Sequence, residues 1–370
     1  MNARVPLAVD RARSGSAYDS VARASNVVAG RLAQRLASET RGEVLFSAAD
    51  RGRYATDASI YQVTPIGVFL PKTAEDARIA LDICRDLHVP VVPRGGGTSQ
   101  CGQTVGAGLV IDFSKHVRQV LEVDAEKRTA TVEPGIVLDH LNAQLKKTGL
   151  WYPVDVSTAA QATLGGMAGN NSCGSRSIAY GNMVHNVLGA EAWTSDGELH
   201  RFGRFDEASG AVRALGERVR ELAWTLRPDI EARWPMVLRR VAGYNLDIFH
   251  NPNERPYTAD GSVNLAHLLV GSEGTLALTR SLQLRLSELP RAKVLGVVNF
   301  PTFYKAMDSA QHIVKLGGDG TLTAVELVDR TMIELSLQNP AFATTVRSAL
   351  IGRPDAVLLV EFSGADRTAL

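Results

Sequence analysis

Three consecutive glycines between two short apolar runs constrain this chain more than any other feature. The stretch Pro93-Arg94-Gly95-Gly96-Gly97-Thr98-Ser99-Gln100-Cys101-Gly102 follows Val89-Pro90-Val91-Val92 and precedes Gly108-Leu109-Val110-Ile111-Asp112. Glycine loses more backbone freedom on ordering than any other residue, so a run of glycines in a folded turn points to unusual dihedrals and close approach of a ligand. Successive amide N–H groups in such a turn converge on an anion, and a pyrophosphate suits that nest. Arg94 adds a cation, and Thr98 and Ser99 add hydroxyl donors. The alternative is a glycine-rich surface turn. The spacing is not Gly-x-Gly-x-x-Gly and no Gly-Lys-Ser/Thr follows, so neither a nicotinamide fingerprint nor a triphosphate loop is supported.

A chain of 370 residues has room for two or three domains or subdomains with a real core. The formal net charge of +1, from 40 basic and 39 acidic residues, leaves no general footprint for nucleic acid or an anionic membrane. No uninterrupted apolar run approaches the roughly 20 residues that a spanning helix needs. Cys84, Cys101 and Cys173 have no paired short spacing, which argues against a disulfide framework, a zinc site or a self-contained iron–sulfur cluster. Residues 1–20 lack the apolar segment of a secretory signal, and Asp10 and Asp19 weigh against a transit peptide. The expectation is a cytoplasmic protein.

Taken in order, residues 21–38 read as an amphipathic helix, and Gly67–Leu70 as a strand stopping at Pro71. Thr73 caps a helix with Glu75 and Asp76 in its first turn, and Ala77, Leu81, Cys84 and Leu87 should face a sheet. Strand, helix, strand, glycine loop and strand make an α/β unit. Val117–Val123 and Thr129–Val132 follow as strands, and then a helix through Ile136, Leu138, Leu141 and Leu145 ends at Gly149. Residues 151–189 are dense in small and hydroxylated side chains, so a buried ligand-wrapping segment is expected rather than a flexible loop. Val187–Trp193 reads as a strand and 206–230 as helix. Ala266–Gly271 and Leu276–Leu284 read as strands, with Pro290 as a domain boundary. Beyond it the order is strand, helix, strand, helix, strand, without an obvious closing element.

Four motifs occur in sequence: Pro93-Arg94-Gly-Gly-Gly-Thr-Ser; Leu164-Gly165-Gly166 with Asn171-Ser172-x-Gly174; His185-Asn186-Val187-Leu188-Gly189; and Val270-Gly271-Ser272-Glu273-Gly274-Thr275-Leu276. Together they resemble the FAD-linked oxidases and dehydrogenases with a vanillyl-alcohol-oxidase-type (PCMH-type) FAD-binding domain. The D-lactate, glycolate and D-2-hydroxyglutarate dehydrogenases are closest in look, particularly the long forms fused to an iron–sulfur domain. The resemblance spans roughly residues 50–290. It implies an α+β chain: an N-terminal helical segment over 1–50, then a two-subdomain FAD-binding fold over 51–290, with subdomains of about 51–115 and 116–290 and FAD lying between them. An incomplete ferredoxin-like α+β cap follows at 291–370.

Carried over by position, Arg94, Gly95, Gly96, Gly97, Thr98 and Ser99 would cradle the pyrophosphate. Pro153, Ser157, Thr158, Thr163, Gly165 and Gly166 would pass the isoalloxazine and ribityl chain, and Ser172, Gly174 and Gly181 would continue that wall. Val187 would reach the adenine side, and Glu273 and Gly274 would hold the far edge. Covalent family members place a histidine where this chain has Thr98, so FAD should be bound non-covalently. Cys101 and Cys173 read as packing residues because neither has a resolving partner. His185 reads as structural. Tyr54 and Asp57 either reach the substrate side or tie down their loop. His116, His140, His200, His250, His267 and His312 lack metal-ligand spacing, so no metal is expected and no catalytic base is assigned.

The implied reaction is oxidation of a D-2-hydroxy acid to the 2-oxo acid. Its electron acceptor would be an iron–sulfur domain or subunit, a quinone or an electron-transfer protein, which could also hold the protein at the inner membrane. The family's later ligands and cysteine clusters have no counterparts before Leu370, so the chain reads as an N-terminal portion of a longer enzyme, or as one working with a partner chain. Two alternatives stay open: an FAD-binding fragment or subunit inactive without its C-terminal partner, and another oxidoreductase on the same FAD domain, such as an NADPH-dependent cell-wall precursor reductase.

Overall fold

A computed structural model describes residues 14–235, 237, 239–249, 258, 262–317 and 320–370; residues 1–13 and His250 lie outside the described residues. The chain divides into two compact units, Met1–Val117 and Arg118–Leu370.

The first unit runs α1 (Ser14–Glu39), β1 (Glu43–Leu45), α2 (Ala48–Arg53), β2 (Gly67–Leu70), α3 (Ala74–Asp86), β3 (Val91–Arg94) and β4 (Leu109–Asp112). Its sheet has the order β1-β2-β4-β3, with β2, β4 and β3 parallel and β1 antiparallel. The glycine loop is thus the connection between β3 and β4. Every residue of β2 and of β4 is buried, as a parallel strand covered on both faces requires. The buried stripe of α3 is Ala77, Ala80, Ile83 and Cys84, while Leu81 and Leu87 are only half-buried. A stripe at i, i+3, i+6 and i+7 therefore replaces the expected one at i, i+4, i+7. Burial pushes the Cys84 thiol up to about 12, which makes it a core residue without nucleophilic character.

The start of α3 is a capping box in which Thr73 Oγ1 accepts from the Asp76 amide and Asp76 Oδ2 accepts from the Thr73 amide. The same carboxylate accepts from the amides of Arg41 at 2.9 Å and Lys72 at 3.1 Å. Asp76 is 4% exposed, so these donors depend on it rather than on water.

The second unit begins with β5 (Val120–Asp124), β6 (Thr129–Val132), α4 (Leu138–Leu145), β7 (Leu150–Trp151), α5 (Leu164–Asn170), α6 (Ser177–Tyr180), α7 (Met183–Asn186), β8 (Val187–Trp193) and β9 (Leu199–Phe202). It continues with α8 (Gly210–Thr225), α9 (Arg227–Arg233), α10 (Ala266–Leu269), β10 (Leu278–Arg285), β11 (Ser287–Glu288), β12 (Ala292–Phe300), α11 (Phe303–Leu316), β13 (Leu322–Asp329), α12 (Arg330–Gln338), α13 (Pro340–Ala349) and β14 (Ala356–Gly364). An antiparallel sheet of order β5-β6-β10-β8-β9 backs its main core, in which Val132, Leu141, Tyr152, Leu164, Met183, Phe202, Leu265 and Leu284 are all buried. The last part is a sheet of order β12-β14-β13 with β14 antiparallel to both neighbours. β12 and β13 are therefore parallel across a central strand, with α11 as their crossover, which is the split βαβ of a ferredoxin-like cap. Ala306 of α11 packs with Leu322, Leu358 and Val360 in its core.

Two expectations are corrected. Ala266–Leu269 is a short helix, not a strand: Asn264 Oδ1 accepts from the Ala266 amide at 2.8 Å and starts the turn. A run of four residues is too short to carry a period that separates the two states. Residues 206–230, read as helical throughout, hold two helices, α8 and α9, the second with a proline in its first turn. Within 151–189 the short helices α5, α6 and α7 order the chain from Leu164 to Asn186. Among the described residues, no helix is long and apolar enough to cross a membrane.

The Asp76 hub yields a direct test. Asp76→Ala removes the acceptor of three amides, those of Arg41, Lys72 and Thr73, and should lower the unfolding free energy by about 2 kcal/mol, with Asp76→Asn losing roughly half as much. Urea unfolding followed by circular dichroism measures both; equal stability of Asp76→Ala and wild type would contradict the hub.

Candidate functional site

The loop after β3 is held from the inside by Arg94. Its Nη1 donates to the carbonyls of Tyr54 at 3.3 Å and Thr104 at 3.4 Å, and its Nη2 donates to that of Thr56 at 2.8 Å. The guanidinium also lies 5.1 Å from the centroid of the Tyr54 ring. Tyr54 Oη donates to Asp112 Oδ2 at 2.8 Å, at the end of β4, and burial together with that carboxylate pushes the phenol well above its usual range. Asp57 accepts from the Ser59 amide and from Thr104 Oγ1 at 2.9 Å, and the Ala58 amide donates to the Gly97 carbonyl at 3.1 Å. Tyr54 and Asp57 therefore tie down the loop. Arg94 thus donates to three carbonyls of its own unit while its positive charge stays beside the loop. Ser99 Oγ is likewise engaged, donating to Gln103 Oε1.

Gly97 shows why glycine is required here. Its φ is +65°, and a Cβ would stand 2.7 Å from Arg94 Nη2. Among the described residues, the amides of Gly95, Gly96, Gly97, Thr98 and Ser99 donate to no protein acceptor. Five successive donors without protein partners, in a loop fixed by side chains behind it, are a geometry that suits an anion.

In the second unit the structure brings 153–158, 163–174 and 271–275 together. Thr163 caps α5, its Oγ1 accepting from the Gly166 amide, and it is 1% exposed. The Gly271 and Glu273 amides donate to the carbonyls of Ala168 and Gly169. Asn170 Nδ2 donates to Glu273 Oε1 at 2.8 Å, and Ser172 Oγ donates to Asn170 Oδ1 at 3.0 Å. Asn171 and Glu273 hold φ of 51° and 50°, unusual for side-chain-bearing residues, and Gly274 follows at 74°. Backbone held in this region gathers where surrounding contacts force it, often at ligand sites.

Some of the expected small residues are small for internal reasons. A Cβ at Gly165 would stand 2.6 Å from Pro134 Cβ, whose carbonyl accepts from the Gly165 amide, and one at Gly174 would collide with Asp155. Gly181 packs on His185. Gly166 is different: it is exposed, and its nearest obstacle is Thr163 Oγ1 at 3.3 Å. Val187 is 1% exposed within the core, its amide donating to the Met183 carbonyl. Pro153 is buried, while Ser157 is exposed and Thr158 half-buried.

His185 Nδ1 accepts from the Asn182 amide at 2.9 Å, and burial lowers its pKa. His267 is 2% exposed, and burial, with His185 nearby, pushes it down to about 3. Both are neutral structural imidazoles at neutral pH. Buried asparagines also hold this region: Asn171 Oδ1 receives the Val184 amide, Asn186 Nδ2 donates to the Tyr180 and Asn182 carbonyls, and Asn245 Nδ2 donates to those of His267 and Val270. Asn171 and Asn186 stand inside the sequence motifs without an assigned role there, and no motif singles out Asn245.

Comparison with known proteins agrees with this architecture. Residues 65–203 match an FAD binding domain family and residues 289–370 match the C-terminal domain of FAD linked oxidases. The chain is 32% identical over 349 residues to a D-2-hydroxyglutarate dehydrogenase of Pantoea ananatis, covering 88% of this chain and 32% of that protein. It is 30% identical over 348 residues to the Escherichia coli D-2-hydroxyglutarate dehydrogenase, covering 89% and 33%. With the glycolate oxidase subunit GlcD of Bacillus subtilis the identity is 30% over 338 residues, covering 89% and 59%. The chain thus spans about a third of the length of the D-2-hydroxyglutarate dehydrogenases it matches. A crystal structure of alkyldihydroxyacetonephosphate synthase shares the fold at a TM-score of 0.62 and 20% identity, over 87% of this chain and 53% of that one. The chain thus carries a match to an FAD binding domain followed by a match to the C-terminal domain of FAD linked oxidases, in that order.

Proposed function

We propose that this chain is the FAD-binding and cap-bearing part of an enzyme that oxidises a D-2-hydroxy acid, of the D-2-hydroxyglutarate, D-lactate or glycolate class, to the 2-oxo acid. The observation that carries the reading is the pairing of an FAD binding domain with an FAD-linked oxidase C-terminal domain, within a match to hydroxy acid dehydrogenases that covers nearly nine-tenths of the chain. The residues present fit the cofactor. Five amides from Gly95 to Ser99 without protein acceptors suit a diphosphate, and the open face at Gly166 admits a flat ring against the backbone.

In this reading Gly95–Ser99 hold the diphosphate by main-chain donors, with Arg94 shaping the loop behind them. Pro153, Ser157, Thr158, Thr163, Gly165 and Gly166 line the ring and ribityl side, Ser172, Gly174 and Gly181 extend that wall, Val187 lies toward the adenine side, and Glu273 and Gly274 hold the far edge. With no histidine at position 98, attachment is non-covalent. Bound FAD supplies the hydride acceptor for the carbinol carbon. The chain's own part is to bind, to orient and to exclude water. The electron acceptor is a partner domain, protein or quinone, and the protein works in the cytoplasm or at the inner face of the membrane.

Two tests follow. FAD-reconstituted protein should lose its yellow colour anaerobically on addition of D-2-hydroxyglutarate, D-lactate or glycolate. Bleaching by NADPH alone would replace the reading with another oxidoreductase on this domain. A bound flavin reduced by none of these would favour a module inactive without further sequence, the second reading that the one-third coverage of the dehydrogenases supports. Separately, Gly97→Val, which places a β-branched side chain at positive φ against Arg94, should weaken FAD binding at least tenfold, about 1.4 kcal/mol, while circular dichroism stays native. Undiminished affinity would contradict the role of the loop.

A further inference from the structure

One guanidinium joins the segment Trp151–Tyr180 to the cap sheet. Arg176 Nε and Nη2 donate to Oε1 and Oε2 of Glu361 on β14, each at 2.7 Å, while Nη1 donates to Asp155 Oδ2 at 2.8 Å. Asp155 also accepts from the Arg176 amide at 3.1 Å and from Ser175 Oγ at 2.7 Å. Glu361 also accepts from Thr323 Oγ1, on β13, at 3.0 Å. The guanidinium and the Lys293 ammonium of β12 both approach the Trp151 ring, at 5.9 and 5.7 Å, and Tyr180 meets Trp151 edge-on at 5.4 Å. Ile178 of α6 packs against the cap core beside Leu358 and Val360.

Exposure separates this cluster from the surface pairs. The side chains of Arg176, Asp155 and Glu361 are 24%, 15% and 16% exposed, against 39% and 61% for Arg204 and Asp206. Sheltered charges keep most of their mutual attraction, and a planar fork can grip one carboxylate at two points while turning its remaining edge to a second. A lysine cannot. Asp155 lies between Pro153 and Ser157, and Arg176 follows Ser172 and Gly174, so both arms begin in the segment assigned to the flavin ring.

We propose that Arg176 is a positioning residue that registers the cap sheet on the flavin-side segment, so that FAD binding at 153–174 and order in β14 are energetically coupled. The proposal rests on the flavin reading above. Coupling of this kind is reciprocal: what FAD does to the strand, loss of the strand's grip does to the segment.

Hydrogen–deuterium exchange on the whole chain tests it, with wild type, Arg176→Met, Arg176→Lys and the near-isosteric Glu361→Gln. In wild type, saturating FAD should slow exchange across Ala356–Gly364 at least about fivefold, the low end of coupling between sites. Arg176→Met and Glu361→Gln should still bind FAD yet lose that slowing, and Arg176→Lys should fall between. Slowing that persists in Glu361→Gln, or a wild type that binds FAD without slowing in β14, would overturn the coupling. A wild type that binds no FAD defeats the flavin reading instead, and ligand-free protein then decides the latch. Both substitutions should speed exchange in Ser172–Tyr180 and Ala356–Gly364 together, whereas acceleration confined to the substituted element would overturn it. Glu361→Gln carries the test alone if Arg176→Met fails to fold.

Discussion

Main-chain amides without protein acceptors are the constraint around which the first unit is arranged. A folded protein rarely leaves five successive donors unpaired, and holding them open requires rigid support from behind. Here that support is a closed set of side-chain contacts. Arg94 reaches three carbonyls, Tyr54 braces both Arg94 and Asp112, and Asp57 fixes Thr104 at the far end of the loop. The parallel strands β3 and β4 fix the loop's two ends through main-chain pairing, so the loop's shape is set before any ligand arrives. Preorganisation of this kind spares the ordering entropy that a flexible turn would lose on binding.

The second unit solves a related problem with different means. A backbone that must run close to a flat ring cannot carry bulky side chains there, yet a stretch of small residues packs poorly and orders reluctantly. The segment from Trp151 to Asn186 is ordered instead by short helices, by side-chain caps such as Thr163, and by buried asparagines that take the place of missing ladder contacts. The strained conformations at Asn171 and Glu273 belong to this stitching, because the loop at 271–275 docks by main-chain bonds onto the end of α5. Arg176 then extends the same order to the cap.

Much of this was legible in the residues. Glycines between apolar strands marked the loop between β3 and β4, apolar runs marked β6, β8 and β10, and the Thr73 cap placed α3. Two kinds of feature escaped. Ala266–Leu269 is a single turn long, so neither helical nor extended spacing leaves a trace in it. The clamps formed by Arg94 and Arg176 depend on partners such as Tyr54, Glu361 and Thr323, far away along the chain, and no local pattern announces them. Arg94 makes the point most plainly: beside three glycines it read as a ligand's counter-charge, and nothing local announced that carbonyls forty and ten residues away also accept from it.

The central claim is that the glycine turn grips a diphosphate through its amides, and comparing flavins tests it most directly. Equilibrium titration of the purified chain with FAD and with riboflavin, which has the ring but no phosphate, separates the two contributions. The account predicts that FAD binds at least about a hundredfold more tightly, a difference of roughly 2.7 kcal/mol, because charge-assisted bonds to the amides exist only with FAD. Equal affinity for the two, or binding of neither, would contradict it.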